Sequence, residues 1–471
     1  MTEADGHDGF QSATTAFLDW LQSNGATVSS KIQLADLRQH HRGRGVLATE
    51  DMSEDEELFA VPRTAILTTE TSSLPSGIKE RFSDPWLSLI TVMIHEYQQG
   101  SASAWEPYFA VLPSTFSTLM FWSERELEYL EGSAVADKIG KKSADEAFKN
   151  KVIPALRGHE ETFKINDTSD EELLKLCHQM GSTIMAYAFD LEKPETEQQK
   201  PDNEEWEEDE EESDSLPKGL VPMADMLNAD ADKNNAKLYY EEDRVVMKSI
   251  KPIKAGEEIF NDYGPLPQAD VLRRYGYTTK NYEKYDVVEI SLDLIKSVAK
   301  EQQKLSEKDI ADRTTYLEEQ GALEDGYDIA HASNIETEQF PEDLRILLNI
   351  LTASKEDFDK WKRKDKLPKP DLTSDSQSLL YTILVHRRAD YYFDIAADDF
   401  PSVADDRRRD ALSVVRGEKL VLQEAADAVQ EQLRGTNQSS TGGKKRPMAT
   451  FDEDSREVRK AAGKRAKHSE K

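Results

Sequence analysis

A single cysteine, Cys177, occurs in 471 residues. That excludes a disulfide framework and a cysteine-cluster zinc site, and it fits a reducing compartment. The nine histidines are scattered, with no HExxH or similar ligand spacing, so no metal is expected. No apolar run approaches the ~18 residues that a membrane helix needs. The opening MTEADGHDGF is acidic and lacks a signal-peptide core, so export by that route is not expected. Positive charge is also scarce: 60 Lys and Arg stand against 92 Asp and Glu, for a formal net charge of −32. Such a surface repels phosphate backbones and attracts basic proteins. Direct nucleic-acid binding is therefore not expected, and a basic protein is the expected partner.

The length suggests two or three domains. Charge is unevenly spread. Segment 192–215 holds thirteen acidic and two basic residues and has almost nothing to bury, so it reads as a disordered acidic loop inserted in the fold. Residues 435–471 hold ten basic and five acidic residues, with clusters Lys444-Lys445-Arg446 and Lys464-Arg465-Ala466-Lys467. They read as a disordered basic tail. Two basic clusters on an acidic chain fit a nuclear import signal, so a nuclear location is expected, with the cytoplasm also open.

Helical spacing comes first. Phe17, Leu18 and Leu21 share one face over Ala13–Ser23, and Asn24-Gly25 ends that helix. Val46-Leu47-Ala48 and Leu58-Phe59-Ala60-Val61 follow turn signals and read as short strands. Residues 80–190 return to helix. Trp86, Leu89, Ile90 and Met93 recur on one face, Ser123–Glu126 is a capping box, and 172–189 is a long apolar helix despite Gly181. Strands are expected again at 237–240, 245–250 and 257–260. From about 285 the chain is helical. The last helix opens at Asp405-Asp406, buries a stripe of Leu412, Val415, Leu422, Ala426, Val429 and Leu433, and stops at Gly435.

Three short segments stand out. In Arg42-Gly43-Arg44-Gly45-Val46, two glycines before a strand permit close backbone approach, though the dinucleotide fingerprint is missing. Asp225-Met226-Leu227-Asn228 puts two polar side chains in apolar surroundings, where each must be a structural cap or a ligand contact. Gly256-Glu257-Glu258-Ile259-Phe260-Asn261-Asp262-Tyr263-Gly264 is followed by Arg273-Arg274-Tyr275-Gly276-Tyr277, giving two Tyr-Gly pairs close together.

Taken in order, these segments resemble the SET domain of S-adenosylmethionine-dependent protein-lysine methyltransferases. Trp105–Phe109, Met120-Phe121-Trp122 and Arg416–Ala425 are similar to the Rubisco large-subunit methyltransferase subclass. Met185–Phe189 and the acidic loop look most like its fungal ribosomal lysine N-methyltransferase 4 group. The resemblance implies an α+β fold: a β-rich SET domain over 31–280, split by a helical insertion over 76–190. Residues 1–30 are the expected N-terminal helix, and 285–434 the expected all-helical substrate-binding domain.

It also implies S-adenosyl-L-methionine as cofactor and methyl transfer to a protein lysine. Tyr263 takes the catalytic tyrosine position. Arg44, Gly45 and Val46 match the cofactor-binding turn, Asn228 and Ala229 the adenine-side pair, and Tyr187, Tyr263 and Tyr275 further cofactor contacts. Trp86, Ile90 and Arg274 lie near substrate-contacting positions. Ala229 departs from the family, which usually has histidine there. The expected substrate is a basic ribosomal protein, the large-subunit protein L42, monomethylated by a monomeric enzyme. A non-ribosomal acceptor (a transcription factor, a histone or an actin histidine) and a catalytically silent SET-like binding module are the alternatives.

Overall fold

The computed structural model describes residues 3–40, 43–192, 216–334, 337–391, 406–438 and 450–469. Arg42, the acidic loop from 193 onward and Lys444-Lys445-Arg446 lie outside the described residues. The chain divides into two compact units. The first comprises Met1–Phe121, Gly140–Gly264 and Arg274–Gly276; the second comprises Trp122–Ile139, Pro265–Arg273 and Tyr277–Lys471. The boundaries expected from sequence, 31–280 and 285–434, thus shift. Segments 122–139 and 265–273 belong with the helical second unit.

Two four-stranded sheets form the β part of the first unit. One runs in the order β1 (Thr27–Val28), β4 (Glu57–Pro62), β9 (Arg244–Ser249), β8 (Ala236–Tyr240). Leu58, Phe59, Ala60 and Val61 are all buried, which is why that strand reads as a continuous apolar run. The other runs β2 (Ile32–Asp36), β3 (Arg44–Ala48), β10 (Glu258–Asn261), β7 (Asn228–Ala229). A two-stranded ribbon pairs β5 (Ala188–Asp190) with β6 (Lys218–Leu220).

Helices flank these sheets. Pro85–Gln99 starts with proline at its first position and Asp84 as N-cap, accepting from the Trp86 and Leu87 amides. Asp170–Tyr187 opens on a Ser169–Glu172 capping box. The Ile90 side chain packs beside Gly181 where these two helices meet. The first helix spans Glu3–Ser23, ten residues more than its apolar face marks. Residues 1–30 are no separate domain: Phe17 and Leu21 are fully buried in the first unit's core, and Phe17 and Trp20 stack on Tyr108.

The second unit is helical, as expected, but not wholly so. It adds an antiparallel pair, β11 (Val287–Ser291) and β12 (Gly326–Ala330). The alternation of buried Val288 and Ile290 with more exposed neighbours is a strand period within a region otherwise read by its helices. The long helix Asp406–Gln438 buries Leu412, Val415, Leu422, Ala426 and Val429, as its spacing predicts. It runs through Gly435 rather than stopping there. One glycine costs a helix only about 1 kcal/mol, and neighbours that favour helix carry it past.

The tail is the larger correction. Phe451–Ser469 forms a helix that packs on the helix Ser374–Ala389. Phe451 is buried beside Tyr381, Asp454 accepts from the Tyr381 hydroxyl at 2.9 Å, and Asp452 pairs with Arg388 at 2.9 Å. The Arg459 guanidinium donates to the Ala389 carbonyl at 3.0 Å, covering the C-terminal end of that helix. A basic composition concealed one apolar anchor and three polar ties. Deleting 450–471 is expected to lower the thermal midpoint, because losing the Phe451 burial alone costs about 1.5–3 kcal/mol. Differential scanning calorimetry on the truncated chain checks this, and an unchanged midpoint would refute the docked helix.

Candidate active site

The register of the second sheet assembles the motifs. Ile259 pairs with Val46 and Glu258 with Leu47 on one side of β10. Phe260 pairs with Asn228 and Asn261 with Ala229 on its other side, in parallel. Three segments far apart in sequence therefore lie on adjacent strands, and Tyr263 follows two residues beyond β10.

Asn228 locks this arrangement. Its side-chain amide donates to the Arg44 carbonyl at 3.2 Å and to Glu258 Oε1 at 2.7 Å. Both amide protons are thus spent on the protein, so the side chain is first a strand tie, and what it offers a ligand is its carbonyl and backbone. Gly45 sits beneath it. A Cβ on Gly45 would lie 2.4 Å from Leu37 Cδ1, 2.9 Å from Asn228 Nδ2 and 3.0 Å from Glu258 Oε1, so any larger residue must displace these side chains. A second tie comes from Asn235. It donates from Nδ2 to the Glu258 carbonyl at 3.0 Å and accepts at Oδ1 from the Phe260 amide at 2.8 Å.

Asn228→Ala is expected to cost stability as well as ligand affinity. Two acceptors lose their donor at once, an effect of about 1–3 kcal/mol. Thermal unfolding checks it; a midpoint equal to that of the unaltered protein would leave Asn228 as a ligand contact only.

The Arg44 side chain turns away from the motif. Its guanidinium donates to the Val111 carbonyl at 2.8 Å and lies 3.9 Å from the Phe10 ring centroid, tying the first helix down. Burial lowers its pKa. Only its backbone remains for the role that the turn implies.

The rings of Tyr263 and Tyr275 stack, with centroids 4.2 Å apart and planes at 15°. Asp262 brackets the first of them: its Oδ1 accepts from the Gly264 amide at 2.8 Å and its Oδ2 from Asn234 at 2.7 Å. Gly276, next to Tyr275, has φ +79 and abuts the Ser117–Thr118 backbone.

Tyr187 ends its helix where β5 begins. Burial, then the charge of Asp225, pushes its phenol up to about 12. Asp225 lies in the turn Ala224–Met226, entered through Met223 at φ +80, and its Oδ2 accepts a short hydrogen bond from Tyr108. Burial pushes Asp225 up to about 7, against the opposing effect of the Tyr108 bond.

The expected substrate-side residues fare differently. Trp86 is half-buried, with the Lys218 ammonium 5.6 Å from its ring, and Lys218 pairs with Asp190 at 2.6 Å on the β5–β6 ribbon that follows Tyr187. Ile90 is buried in the helix–helix contact at Gly181. Arg274 is half-buried one residue before Tyr275. Cys177 is buried, and its thiol, pushed up to about 12, is no nucleophile. Sequence reasoning missed Tyr108, Asn235 and Glu258, since nothing local marks a residue that bonds across 20 positions or more. Asp225 carried a signal, a polar residue in an apolar run, and its carboxylate takes the Tyr108 hydroxyl.

A model of the SET domain matches residues 43–264. Ribosomal lysine N-methyltransferase 4 of Saccharomyces cerevisiae is 35% identical over 305 residues, covering 62% of this chain and 61% of that protein. N-lysine methyltransferase setd6 of Xenopus laevis is 29% identical over 391 residues, covering 79% and 80%. Among solved structures, the SET domain of LSMT bound to methyl-lysine and AdoHcy superposes with a TM-score of 0.67 at 20% identity, over 90% of this chain and 93% of that one. Rubisco LSMT bound to AdoMet gives 0.65 at 21% identity, over 90% and 93%.

Proposed function

We propose that the chain is a SET-domain protein-lysine methyltransferase that transfers a methyl group from S-adenosyl-L-methionine to a lysine of a ribosomal protein. The observation that carries this reading is the β3–β10–β7 register, which sets Gly45 and Asn228 beside the strand leading to the stacked pair Tyr263 and Tyr275. The residues fit the cofactor. Gly45 leaves the strand bare of side chain beside Asn228, and the backbone of Arg44–Val46 and Asn228–Ala229 with the rings of Tyr187 and Tyr275 would hold it. When bound, the cofactor supplies an electrophilic methyl.

The protein's task is then to present a neutral amine. A lysine has a pKa near 10.4 and is protonated at neutral pH, so the site must exclude water and align the amine. In this reading the Tyr263 hydroxyl orients the amine and faces the charge that develops there. Trp86 and Arg274 are the proposed substrate-side contacts.

A name among the relatives, ribosomal lysine N-methyltransferase 4, supports a ribosomal acceptor. The net charge of −32 supports a basic one, and raises the encounter rate with it at low salt. Our choice among such proteins is the large-subunit protein L42, monomethylated. Intact-mass comparison of ribosomal proteins from wild-type and deletion cells is expected to show a ~14 Da loss on L42. A loss on another protein instead would overturn the substrate and keep the reaction. We place the protein in the nucleus on its two basic clusters. Substituting Lys444-Lys445-Arg446 and imaging the tagged chain tests this without removing the C-terminal helix.

A further inference from the structure

The helical second unit carries a pocket that the reading above leaves unused. All its lining residues belong to that unit, and its volume is about 190 Å³. An apolar cavity of about 150 Å³ takes up benzene, so this one has room for one long side chain. Val135, Pro265, Pro267 and Val287 give it an apolar wall. Its charge comes from four carboxylates, Asp270, Glu289, Asp328 and Glu418, and two cations, Lys138 and Arg387.

The two buried members of that set are engaged by the protein. Arg387 donates to the Glu289 carbonyl at 2.9 Å and to the Gly132 carbonyl at 2.7 Å. Glu418 accepts from Ser133 at 2.7 Å and from Tyr391 at 2.8 Å. The other four reach solvent, three carboxylates to one ammonium. Glu289 and Asp328 stand directly opposite each other in the β11–β12 pairing, and like charges so placed cost stability. Lys138 offsets that cost, since its ammonium pairs with Glu289 at 2.8 Å. Burial works against this ammonium, yet the bond and charge of Glu289 and the charges of Asp328 and Asp270 raise its pKa. Asp270 has a further cation beside it, Arg273 at 2.8 Å. The chain's own lysine thus shows what the rim holds: a cation on an alkyl stem.

We propose that this pocket docks an arginine side chain of the basic acceptor protein, a residue other than the lysine that is methylated. The stem lies along the apolar wall, and the guanidinium, whose five donors form a fixed fork, spans Glu289 and Asp328. Lys138 competes for the same carboxylates. The identity of the partner rests on the function proposed above. Such a pocket adds selectivity that the net charge of −32 lacks, because a diffuse field attracts every basic protein alike.

The probe is N-acetyl-arginine amide, with N-acetyl-citrulline amide as its neutral isostere. Saturation-transfer NMR on the full chain is expected to show binding of the first and not of the second. Asp328 is exposed, so Asp328→Lys spares the core, and it is expected to abolish the signal. Lys138→Ala removes the competitor and is expected to tighten the probe several-fold, which loss of a merely structural ion pair would not do. Methylation kinetics give the second arm, with L42 or the acceptor that mass comparison names in its place. There Asp328→Lys is expected to raise KM by about tenfold or more, as for the loss of one charge-assisted hydrogen bond. Lys138→Ala is expected to lower KM, and affinity for S-adenosylmethionine is expected to hold in both variants. Equal binding of the two probes, binding of neither, or a probe signal and KM unchanged in Asp328→Lys would overturn the proposal. If no protein is methylated at all, the proposed function fails, and the probe still decides the pocket.

Discussion

Tyr263→Phe is expected to cut methyl transfer by roughly 10²–10³-fold, the usual cost of losing one donor aimed at developing charge. The substitution is informative because of how the ring is held. Tyr263 stacks on Tyr275 at 4.2 Å, and its backbone is fixed on both sides by Asp262. Phenylalanine preserves the stack and removes only the hydroxyl. Cofactor affinity and the thermal midpoint are therefore expected to stay near their original values while turnover falls. Single-turnover assays with labelled cofactor, run beside calorimetric binding, separate the two. Full turnover in the variant would take Tyr263 out of the reaction.

Gly276→Ala should act on the same site through the backbone. Gly276 is at φ +79, and an added Cβ would lie 2.7 Å from the Ser117 carbonyl carbon and 2.8 Å from the Thr118 nitrogen. Those are main-chain atoms, so no side-chain rotation relieves the contact. Left-handed strain and overpacking each cost about 1–3 kcal/mol. A midpoint lower by roughly 5–10 °C follows for a unit of this size. Tyr275 must move with its neighbour, which loosens the stack under Tyr263, so turnover is expected to fall too. A variant as stable and active as the original would show that the segment 274–276 can rearrange freely. Gly45→Ala is milder by comparison, because its nearest obstacle, Leu37 Cδ1, is the end of a flexible side chain.

The legible parts of the site were those whose chemistry is local. A glycine before a strand, an Asp-x-x-Asn turn and a Tyr-Gly pair can be recognised within ten residues, and their order along the chain carried the resemblance. The helices were legible for the same reason: the capping box at Ser123 and the stripe of Asp406–Gln438 depend on neighbours three or four positions away. The C-terminal helix was not. Its composition is that of a solvated tail, and its order comes from Phe451, Asp452, Asp454 and Arg459 meeting a helix some seventy residues earlier.

By itself, then, the sequence determined the element types of most of the chain, the acidic surface and the identity of the motif residues, all consequences of period, capping and charge. Tertiary structure alone decided what those residues do with their atoms. Asn228 reads in sequence as a cap or a ligand contact; only the approach of β3 and β10 makes it a tie between Arg44 and Glu258. Arg44 reads as part of a binding turn, yet its charge is spent on Val111 and Phe10. Asp225 is pushed up to about 7 because the fold excludes water from it, against the opposing bond from Tyr108, 117 positions away. Hydrogen bonds and desolvation depend on distance in space, and sequence separation carries no information about that until the strands have paired.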